Sequence, residues 1–547
     1  MRVGRTVNNE TGNNGTGSFS TIWLILVSCL GVSVVVAAMA ALNTALPDIA
    51  RSTGASTGQM TWIIDGYTLV LAALLLPAGA IGDRFGRKPV LLVGLAVFGI
   101  ASLAAVWVDT PIQLIITRLV AGAGAALIMP ATLSLISAGV PREKRPVAIS
   151  IWAGVAGAGA ILGFFVTGVL LNFFHWHSVF ITFAASSLAI LLVTLTISSS
   201  KDENPGSFDF VGSLTSMAAI AGIVFGLLEA AHRGWTDPLI LVCLIGGVVL
   251  AVGFVVIELR RTSPLLDVRL FRNRAFAAGS LSVALQFLAS FGVFYLLLLQ
   301  LQLVFGYSAL KSAVALFPMV IGVGAFAMIG NWVAVRYHSL RLVLTVGIAI
   351  AGVGVLAIGL VETDAYWKLG ALLGVVAVGI GLATAPSTTA IMSNTPLENQ
   401  GVGSAVNDTA RELGAAIGIA LAGSILAAGY AKRIDDTANL AHQQLSAIDP
   451  TTAQTASDAI RNSLVGAIEV ADNLPPQAAP LAQQIVDGAH AAFLPPLQAA
   501  CLVLGGVLVV GAAGLGWFAP REVMPAGPEG PDDDVPAELA EPARSAE

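Results

Sequence analysis

The amino-acid sequence predicts an all-α polytopic membrane protein, and three observations predict it: an apolar composition, scarce charge and repeated long apolar runs. Of the 547 residues, 56% are hydrophobic and 11% are charged, and the mean hydropathy is +0.84. Soluble domains carry about 25% charged residues, so water is not the only solvent of this chain. In a bilayer only helices and closed barrels pair every backbone amide, and the sequence lacks the short alternating strands of a barrel.

Fourteen apolar runs are long enough to cross a bilayer. A helix needs about 20 mostly apolar residues to span a hydrocarbon core about 30 Å thick. The sequence therefore predicts fourteen transmembrane helices, or spans, at 21–46, 60–81, 89–108, 111–138, 146–171, 178–199, 208–230, 237–258, 276–304, 309–333, 341–361, 366–392, 405–428 and 492–517.

Two tails and one long loop remain outside the spans. Residues 1–20 are polar and rich in Gly and Asn, and residues 521–547 are acidic and rich in Pro, so both are predicted to be disordered tails. Residues 429–491 are rich in Ala, Gln and Asp, and the helical periodicity of 451–470 indicates short surface helices. For this loop the sequence leaves open a soluble cap or spacer and a role at a substrate gate.

The distribution of Lys and Arg in the short loops predicts the orientation of the chain. With the N-terminus inside the cell, the cytoplasmic loops contain fourteen of these residues and the short outer loops contain four. Because cytoplasmic loops carry the excess of positive charge, we expect a multi-pass protein of the inner (plasma) membrane with both termini in the cytoplasm.

An internal repeat predicts two related halves. A Gly-Ala-Gly motif at 122–124 precedes Pro130 in the fourth span, and Gly-Ile-Gly at 379–381 precedes Pro386 in the twelfth. Duplicated halves with a site between them are a common design of secondary transporters. We expect two six-helix halves separated by two inserted spans, with boundaries at 21–199 for the first half, 200–275 for inserted spans 7–8 and a cytoplasmic linker, and 276–520 for the second half, which includes the extracellular loop.

The loop after the second span carries a specific pattern of glycines and charges. The first two glycines allow close helix approach, and Gly86 permits a tight turn. Asp83 is expected to be held by a helix N-terminus or by an arginine, while the basic residues anchor the cytoplasmic face. The predicted signature loop consists of Gly79, Gly82, Asp83, Arg84, Gly86, Arg87 and Lys88.

This Gly-x-x-x-Asp-Arg-x-Gly-Arg-Lys pattern resembles the signature of the major facilitator superfamily between its second and third spans. Arg118 with the two glycines that follow it is similar to a second signature of that superfamily. Fourteen spans narrow the resemblance to the drug:proton antiporter group of bacterial multidrug exporters of actinobacterial type. The resemblance implies the major facilitator fold and export of hydrophobic or cationic drugs by proton antiport with alternating access. It also implies small-molecule drugs or metabolites, protons and the lipid bilayer as partners.

The fifth span departs from the family pattern. The antiporter signature of the family usually ends Gly-Pro-x-x-Gly-Gly, whereas this chain has Phe164 at the proline position. The missing proline removes a kink, which weakens the inference of antiport, whereas the small-residue packing face survives. The predicted packing motif consists of Gly154, Gly157, Gly163 and Gly168.

Charged residues inside spans are functional candidates because each costs about 2.5–3.5 kcal/mol at the bilayer centre. Asp65 and Arg118 lie at a similar depth and are expected to pair. A site that exchanges its arginine partner for a proton or a cationic drug couples the two fluxes. The alternative is that Asp65 and Arg118 form a permanent ion pair. In that case Glu229, the third candidate for proton coupling or substrate binding, lies at the headgroup level.

Two further groups of side chains are candidates. Polar residues at the cytoplasmic mouth of the thirteenth span are expected to form a latch between the halves: Asn407, Arg411 and Glu412, with Asp408 at the same mouth. Aromatic and Met side chains of the ninth and tenth spans either line a drug cavity or pack the bundle: Phe287, Phe294, Tyr295, Phe317 and Met319.

Several classes of function are excluded or disfavoured. The net charge of −6 provides no basic field for nucleic acid, and three isolated cysteines form no disulfide or metal pattern. We expect no metal site, no cofactor and no catalytic residues, and the absence of a phosphate-binding Gly-rich loop with Lys argues against an ATP-driven pump. The chain is expected to be a monomer and not an enzyme. A dedicated exporter of one host metabolite, such as an antibiotic or siderophore, stays open, as does a non-transporting receptor or lipid-handling scaffold.

Overall fold

The structure is a computed structural model that describes residues 14–198, 208–363, 365–446 and 450–521. Within these ranges the regular secondary structure is helical, with no strand. Fourteen helical segments are long and apolar enough to cross a membrane, which confirms the predicted number of spans. Most of the predicted N-terminal tail (1–13), part of the linker (199–207) and the acidic tail from 522 onward lie outside the described residues.

Seventeen α-helices are described, and fourteen of the segments they form correspond to the predicted spans. They are α1 Asn14–Thr53, α2 Thr57–Phe85, α3 Arg87–Ala104, α4 Pro111–Gly139, α5 Arg145–Phe173, α6 His177–Thr194, α7 Phe210–Arg233, α8 Pro238–Arg260, α9 Arg274–Leu299, α10 Ala309–Ala315, α11 Phe317–Arg336, α12 Leu340–Leu360, α13 Tyr366–Ser393, α14 Gln400–Ser446, α15 Pro450–Asn462, α16 Leu464–Asp472 and α17 Ala479–Phe518. A π-helical turn at Gln300–Val304 extends α9, and α10 with α11 forms the tenth span.

Polar residues define where several helices begin. Ser56 accepts a hydrogen bond from the Gln59 amide while the Gln59 side chain accepts one from the Ser56 amide, which forms a capping box at α2. Asp209 accepts a hydrogen bond from the Gly212 amide at 2.8 Å and caps α7. Such caps satisfy amides that have no partner inside the helix, so the helix ends can lie near the membrane surface without loss of hydrogen bonds.

The helices form two six-helix bundles with equivalent packing. In the first bundle α1 packs on α5 and α2 on α4, and in the second α9 packs on α14 and α11 on α13. The repeated glycines occupy equivalent positions, because Gly122 meets α2 and Gly381 meets α11, while Gly124 meets α3 and Gly379 meets α12. This arrangement confirms the predicted fold class of two halves, while the exact domain boundaries stay a prediction.

The inserted helices lie at the edge of the seam between the halves. Helix α7 packs against α2 of the first half and α14 of the second, whereas α8 packs mainly on α7. The outer face of α8 exposes apolar side chains such as Val242, Ile245 and Val249. Since an exposed apolar face of this length is stable in lipid and not in water, α8 is the most lipid-facing of the spans.

Three helices extend beyond the predicted spans. Residues 14–20, predicted as part of the disordered tail, form the first turns of α1. Helix α14 continues to Ser446 and α17 begins at Ala479, so about half of the predicted loop 429–491 consists of extensions of these two helices, and α15 and α16 lie between them. Elongation of a formed helix adds one backbone hydrogen bond per residue, which lets these helices continue past their apolar segments.

Helices α15 and α16 pack against the extensions of α14 and α17. Their common core contains Tyr430, Ile434, Ile460 and Leu464, and it is continuous with the core of the second half. The Tyr430 hydroxyl donates a hydrogen bond to the Ile460 carbonyl at 3.1 Å. We call the end of the molecule that carries α15 and α16 the loop face, and the end that carries the α2–α3 turn and the start of α14 the Asp83 face.

Candidate functional site

A cavity of about 700 Å³ lies between the two halves. Its walls come mainly from α1, α2 and α5 of the first half and from α9, α11 and α14 of the second, with single residues or pairs from α4, α7, α13 and α17. Most of the wall is apolar, and the segment between α15 and α16 at Asn462–Val465 also lines it. Four of the five aromatic and Met candidates contribute to the wall: Phe287, Phe294, Tyr295 and Met319. Phe317 instead packs edge-on against Phe165, with ring centroids 5.7 Å apart.

Among the described residues, three charged side chains line this cavity: Asp65, Arg411 and Glu412. Asp65 lies eight residues from the start of α2 at the loop face, a rise of about 12 Å, and Arg411 lies eleven residues from the start of α14 at the Asp83 face, about 16 Å. The two helices therefore bring charge to the middle of the membrane from opposite faces. An apolar cavity with two carboxylates and one guanidinium can hold an apolar or cationic molecule and can bind protons.

The predicted pair between Asp65 and Arg118 is wrong in the described structure. The Arg118 side chain is buried and donates hydrogen bonds to the carbonyls of Ile63 at 3.0 Å and Ala38 at 3.1 Å. Its guanidinium also lies 4.2 Å from the ring centroid of Tyr67. Successive residues of a helix turn by about 100°, so the face of α2 that carries Ile63 and Tyr67 meets α4 while Asp65 points into the cavity. Arg118 therefore ties α4 to α1 and α2.

Glu229 of α7 is the candidate that lies close to Asp65. The two carboxylates are near enough to interact electrostatically. Glu229 also forms an ion pair with Arg233 one helical turn later, at 3.0 Å, and its side chain is 13% exposed. The inserted helix α7 thus brings a second carboxylate beside the cavity carboxylate of α2.

Asp83 in the signature loop has both of the expected partners. Its carboxylate accepts hydrogen bonds from the amides of Gly401 at 2.8 Å and Val402 at 3.0 Å, at the N-terminus of α14. Arg87 donates to the same carboxylate at 2.8 Å and to the Leu397 carbonyl at 2.9 Å. Unpaired amides and the helix dipole both favour an anion at this position. The first half is therefore fastened to the second half at the Asp83 face.

The remaining residues of the signature loop have distinct roles. Gly79 lies directly against Gly401, where an added Cβ would overlap the backbone of α14, and Gly86 adopts a φ of 101° in the turn before α3. Lys88 donates hydrogen bonds to the carbonyls at the end of α6. The expectation of close helix approach is wrong for Gly82, because a Cβ there would meet open space. The Arg84 guanidinium lies 5.7 Å from the Phe85 ring centroid.

The predicted latch of Asn407, Arg411 and Glu412 lies deeper than expected. Asn407 accepts a hydrogen bond from Thr388 at 3.1 Å, within its own half. Arg411 does reach the other half, because its guanidinium lies 4.7 Å from the ring centroid of Trp152 in α5. Within its own half, the same guanidinium lies 5.0 Å from the ring centroid of Phe287 in α9. The Asp83 cluster closes the mouth, whereas Arg411 and Glu412 lie at the cavity.

The glycines of the fifth span serve two interfaces. Gly163 lies against the backbone of α1 at Ala37, so a side chain there would overlap it. Gly154 and Gly157 face α11 of the second half, and Gly168 faces Leu310 of α10. Phe164, at the position of the missing proline, lines the cavity and packs on Phe294 of the second half, with centroids 5.3 Å apart.

The sequence analysis missed a buried polar network between α9 and α13. Gln286 donates hydrogen bonds to Ser282 and Ser387, both at 3.1 Å, and accepts one from Thr384 at 2.7 Å. Thr384 also lines the cavity. The sequence does contain a sign of this network, because Ser282 and Gln286 are four residues apart in an apolar span and therefore share a face. No group of three or more potential metal ligands occurs in the part of the chain that the structure describes.

Comparisons with known proteins are consistent with this architecture. A sequence model of the Major Facilitator Superfamily matches residues 28–419. The methyl viologen resistance protein SmvA of Salmonella typhimurium is 32% identical over 504 residues, which cover 91% of this chain and 98% of the relative. The multidrug efflux pump LfrA of Mycolicibacterium smegmatis is 33% identical over 500 residues, which cover 90% of this chain and 96% of the relative. The tetracenomycin C resistance and export protein of Streptomyces glaucescens is 30% identical over 526 residues, which cover 95% of this chain and 94% of the relative.

Solved structures share the fold at low sequence identity. The proton:xylose symporter XylE superposes with a TM-score of 0.57 at 13% identity, covering 93% of this chain and 98% of the symporter. The human organic anion transporter MFSD10 superposes with a TM-score of 0.55 at 15% identity, covering 90% of this chain and 99% of the transporter.

Proposed function

The chain belongs to the Major Facilitator Superfamily, and from this premise we propose that it exports hydrophobic or cationic compounds across the plasma membrane in exchange for protons. The observation that carries the proposal is the cavity between the halves, which combines apolar and aromatic walls with the carboxylates of Asp65 and Glu412. Apolar walls bind a hydrophobic molecule by removing its surface from water, and aromatic rings with carboxylates favour a cation. Relatives that carry resistance or efflux in their names support the direction of transport.

Proton coupling is assigned to charged groups at the cavity. A carboxylate that binds either a proton or a cationic substrate makes the two compete, and this competition couples their fluxes. Asp65 is the first candidate because it faces the cavity, and Glu229 acts on it from α7. Arg118 holds α1, α2 and α4 together behind Asp65, so we assign it a positioning role in coupling.

Alternating access requires contacts between the halves that open and close in turn. Three such contacts are available: Asp83 with the start of α14, Arg411 with Trp152, and the α5 glycines with α11. We assign the Asp83 face to the cytoplasm because of its excess of Lys and Arg, which places both termini there. The transport unit in this proposal is a monomer, since each chain carries both halves and its own cavity.

A second candidate is dedicated export of one metabolite made by the host cell. The similarity to a resistance and export protein for tetracenomycin C favours it, as does the polar network that reaches the cavity at Thr384. Transport competition separates the two proposals. A polyspecific exporter of ethidium is inhibited by chemically unrelated lipophilic cations, whereas a dedicated exporter rejects them.

Accumulation of ethidium in cells that lack other efflux pumps tests the proposed function. Cells that produce the protein are expected to hold less ethidium than cells with an empty vector, and a proton uncoupler is expected to abolish the difference. An unchanged ethidium level, with the protein present in the membrane, contradicts polyspecific export and favours a dedicated exporter, a receptor or a scaffold. Export that resists the uncoupler contradicts proton antiport.

A further inference from the structure

We propose that α14 carries the path by which protons leave the cavity toward the Asp83 face, a proposal that rests on the proposed proton antiport. The path is a row of four polar side chains on one ridge of the helix, which we call the α14 polar stripe: Glu412, Asp408, Ser404 and Gln400.

The spacing of these four residues places their side chains in one continuous row along the helix. Residues four apart on a helix are neighbours, with Cβ atoms about 5–6 Å from one another. The row covers thirteen residues, and the twelve steps between its ends give a rise of about 18 Å along the helix axis. Glu412 lines the cavity at one end, and at the other end Gln400 follows the exposed segment 396–399 at the Asp83 face. The α14 polar stripe therefore spans the part of the protein that the contact between α2 and α14 closes to larger molecules.

Each member is buried and has an oxygen with no hydrogen-bond partner among the described residues. The exposed fractions are 4% for Glu412, 0% for Asp408 and Ser404, and 1% for Gln400. The unpartnered atoms form a series, one for each residue: Glu412 Oε2, Asp408 Oδ2, Ser404 Oγ and Gln400 Oε1. Buried polar atoms in proteins nearly always have a partner, and where protein supplies none the partner is water.

The hydrogen bonding of Ser404 differs from that of buried serines in α9 and α13. Ser280 and Ser387 each donate to the carbonyl four residues earlier, at 2.9 and 2.6 Å, as helical serines commonly do. Ser404 makes no such bond, so its hydroxyl is available to a proton carrier between Asp408 and Gln400. Gln400 donates through its amide nitrogen to the end of α13 and keeps its oxygen free for the same purpose.

Asp408 is not held in an ion pair within the described residues. Asn407 donates to one of its oxygens at 3.2 Å, and the charge of Arg411 acts on it from the same helix. Asp408 and Glu412 also interact electrostatically. Arg411 is held between two aromatic rings, which leaves the second oxygen of Asp408 without a partner. From α2, Tyr67 is near enough to Glu412 to interact with it electrostatically, and Asp83 binds the start of α14.

The proposed transfer moves one proton from Glu412 to Asp408 and then to water, and it needs no cofactor. The O–H bond of protonated Glu412 breaks and an O–H bond forms on the Asp408 carboxylate through a bridging water. Asp408 then releases the proton to water along Ser404 and Gln400. The Glu412 carboxylate that remains is free to bind a cationic substrate, so proton release and substrate binding follow each other at the same group.

Purified full-length protein in lipid vesicles that contain a pH-sensitive dye tests this path. Two signals are measured: proton movement driven by an ethidium gradient, and ethidium exchange between equal concentrations, which needs no proton. For Asp408→Asn we expect proton movement to fall by about tenfold or more while exchange stays within about twofold, since a positioned proton carrier typically contributes 10²–10⁴-fold. Glu258→Gln is the matched control, because Glu258 is 0% exposed and has an unpartnered oxygen but lies at the end of α8.

The outcomes separate this path from the proposed function. If wild type and Asp408→Asn move protons equally well, the path is wrong and antiport stands. If wild type exchanges ethidium without moving protons, antiport and the path are both wrong. Should Asp408→Asn fail to fold, Ser404→Val decides: it is expected to slow proton movement and preserve exchange, and equal rates for Ser404→Val and wild type overturn the path.

Discussion

The carboxylate of Asp83 in the first half caps the N-terminus of α14 in the second half, through hydrogen bonds of 2.8 and 3.0 Å from the amides of Gly401 and Val402. Residues more than 300 positions apart are joined by one charged group. Because the bonds run between the halves, they are broken whenever the Asp83 face opens. The signature loop therefore sets the relative stability of the closed and open states at this face.

Asp83→Asn is expected to favour the open state at the Asp83 face. A hydrogen bond to a charged group is worth about 1.5–3 kcal/mol, and the substitution removes the charge from two of them. The rate at which a thiol reagent labels a cysteine at position 405, which is buried beside Gly79, measures the opening. Labelling of Ala405→Cys should accelerate in the Asp83→Asn background and stay unchanged with Asp48→Asn, an exposed carboxylate of α1.

Two glycines of the same signature loop are expected to differ in their tolerance of alanine. A Cβ at Gly79 overlaps Gly401, whereas a Cβ at Gly82 meets nothing within 4 Å. Gly79→Ala should therefore abolish transport or lower stability by about 1–3 kcal/mol, the usual cost of overpacking, and Gly82→Ala should behave as wild type. Ethidium export and thermal unfolding in detergent measure both effects. Equal loss in the two variants contradicts the assigned contact.

Trp152 is expected to stabilise the contact between the halves through Arg411. A desolvated cation–π interaction is worth up to about 2 kcal/mol, so Trp152→Leu should lower the unfolding temperature and the transport rate. Trp152→Phe keeps a ring and loses the hydrogen bond from the indole to Thr132, at 3.1 Å, so its effect should be smaller. If the unfolding temperatures of the two variants fall equally, the ring contact with Arg411 contributes nothing.

Neighbouring phenylalanines of α5 provide a test of the cavity wall. Phe164 lines the cavity, whereas Phe165 packs on Phe317 outside it. Loss of an aromatic contact costs about 0.5–1.5 kcal/mol, so Phe164→Ala should weaken ethidium binding by about 2- to 13-fold. Phe165→Ala should leave binding unchanged. Fluorescence titration of the purified variants with ethidium measures the dissociation constants, and equal constants contradict the placement of the site.

Local patterns predicted most of the architecture. Hydropathy located fourteen spans because the bilayer demands about 20 apolar residues for each, and the spacing around Asp83 predicted its two partners because the motif itself contains the charge and the turn. The extension of α14 to Ser446 was not predicted, since hydropathy measures apolar content and not the continuity of a helix.

The arrangement of charges around the cavity could not be predicted from depth alone. Asp65 and Arg118 lie at similar depths, yet one faces the cavity and the other faces backbone carbonyls. A shift of two positions along a helix changes the direction of a side chain by about 200°, and only the packing of neighbouring helices decides which direction meets a partner. Asp408 was expected at the cytoplasmic mouth with Arg411 and Glu412, whereas the structure buries it completely within the bundle.

Coupling of proton influx to export through Asp65 can be measured as transport in everted membrane vesicles. Addition of ethidium to energised vesicles should dissipate part of the pH gradient in wild type. With Asp65→Asn, present in equal amount and still able to bind ethidium, both the dissipation and the uptake of ethidium into the vesicles should be lost. The exposed carboxylate of Asp487 in the α17 extension provides the matched control, Asp487→Asn, which should behave as wild type. Proton-driven ethidium uptake that persists in Asp65→Asn at the wild-type rate would rule out Asp65 as the coupling group.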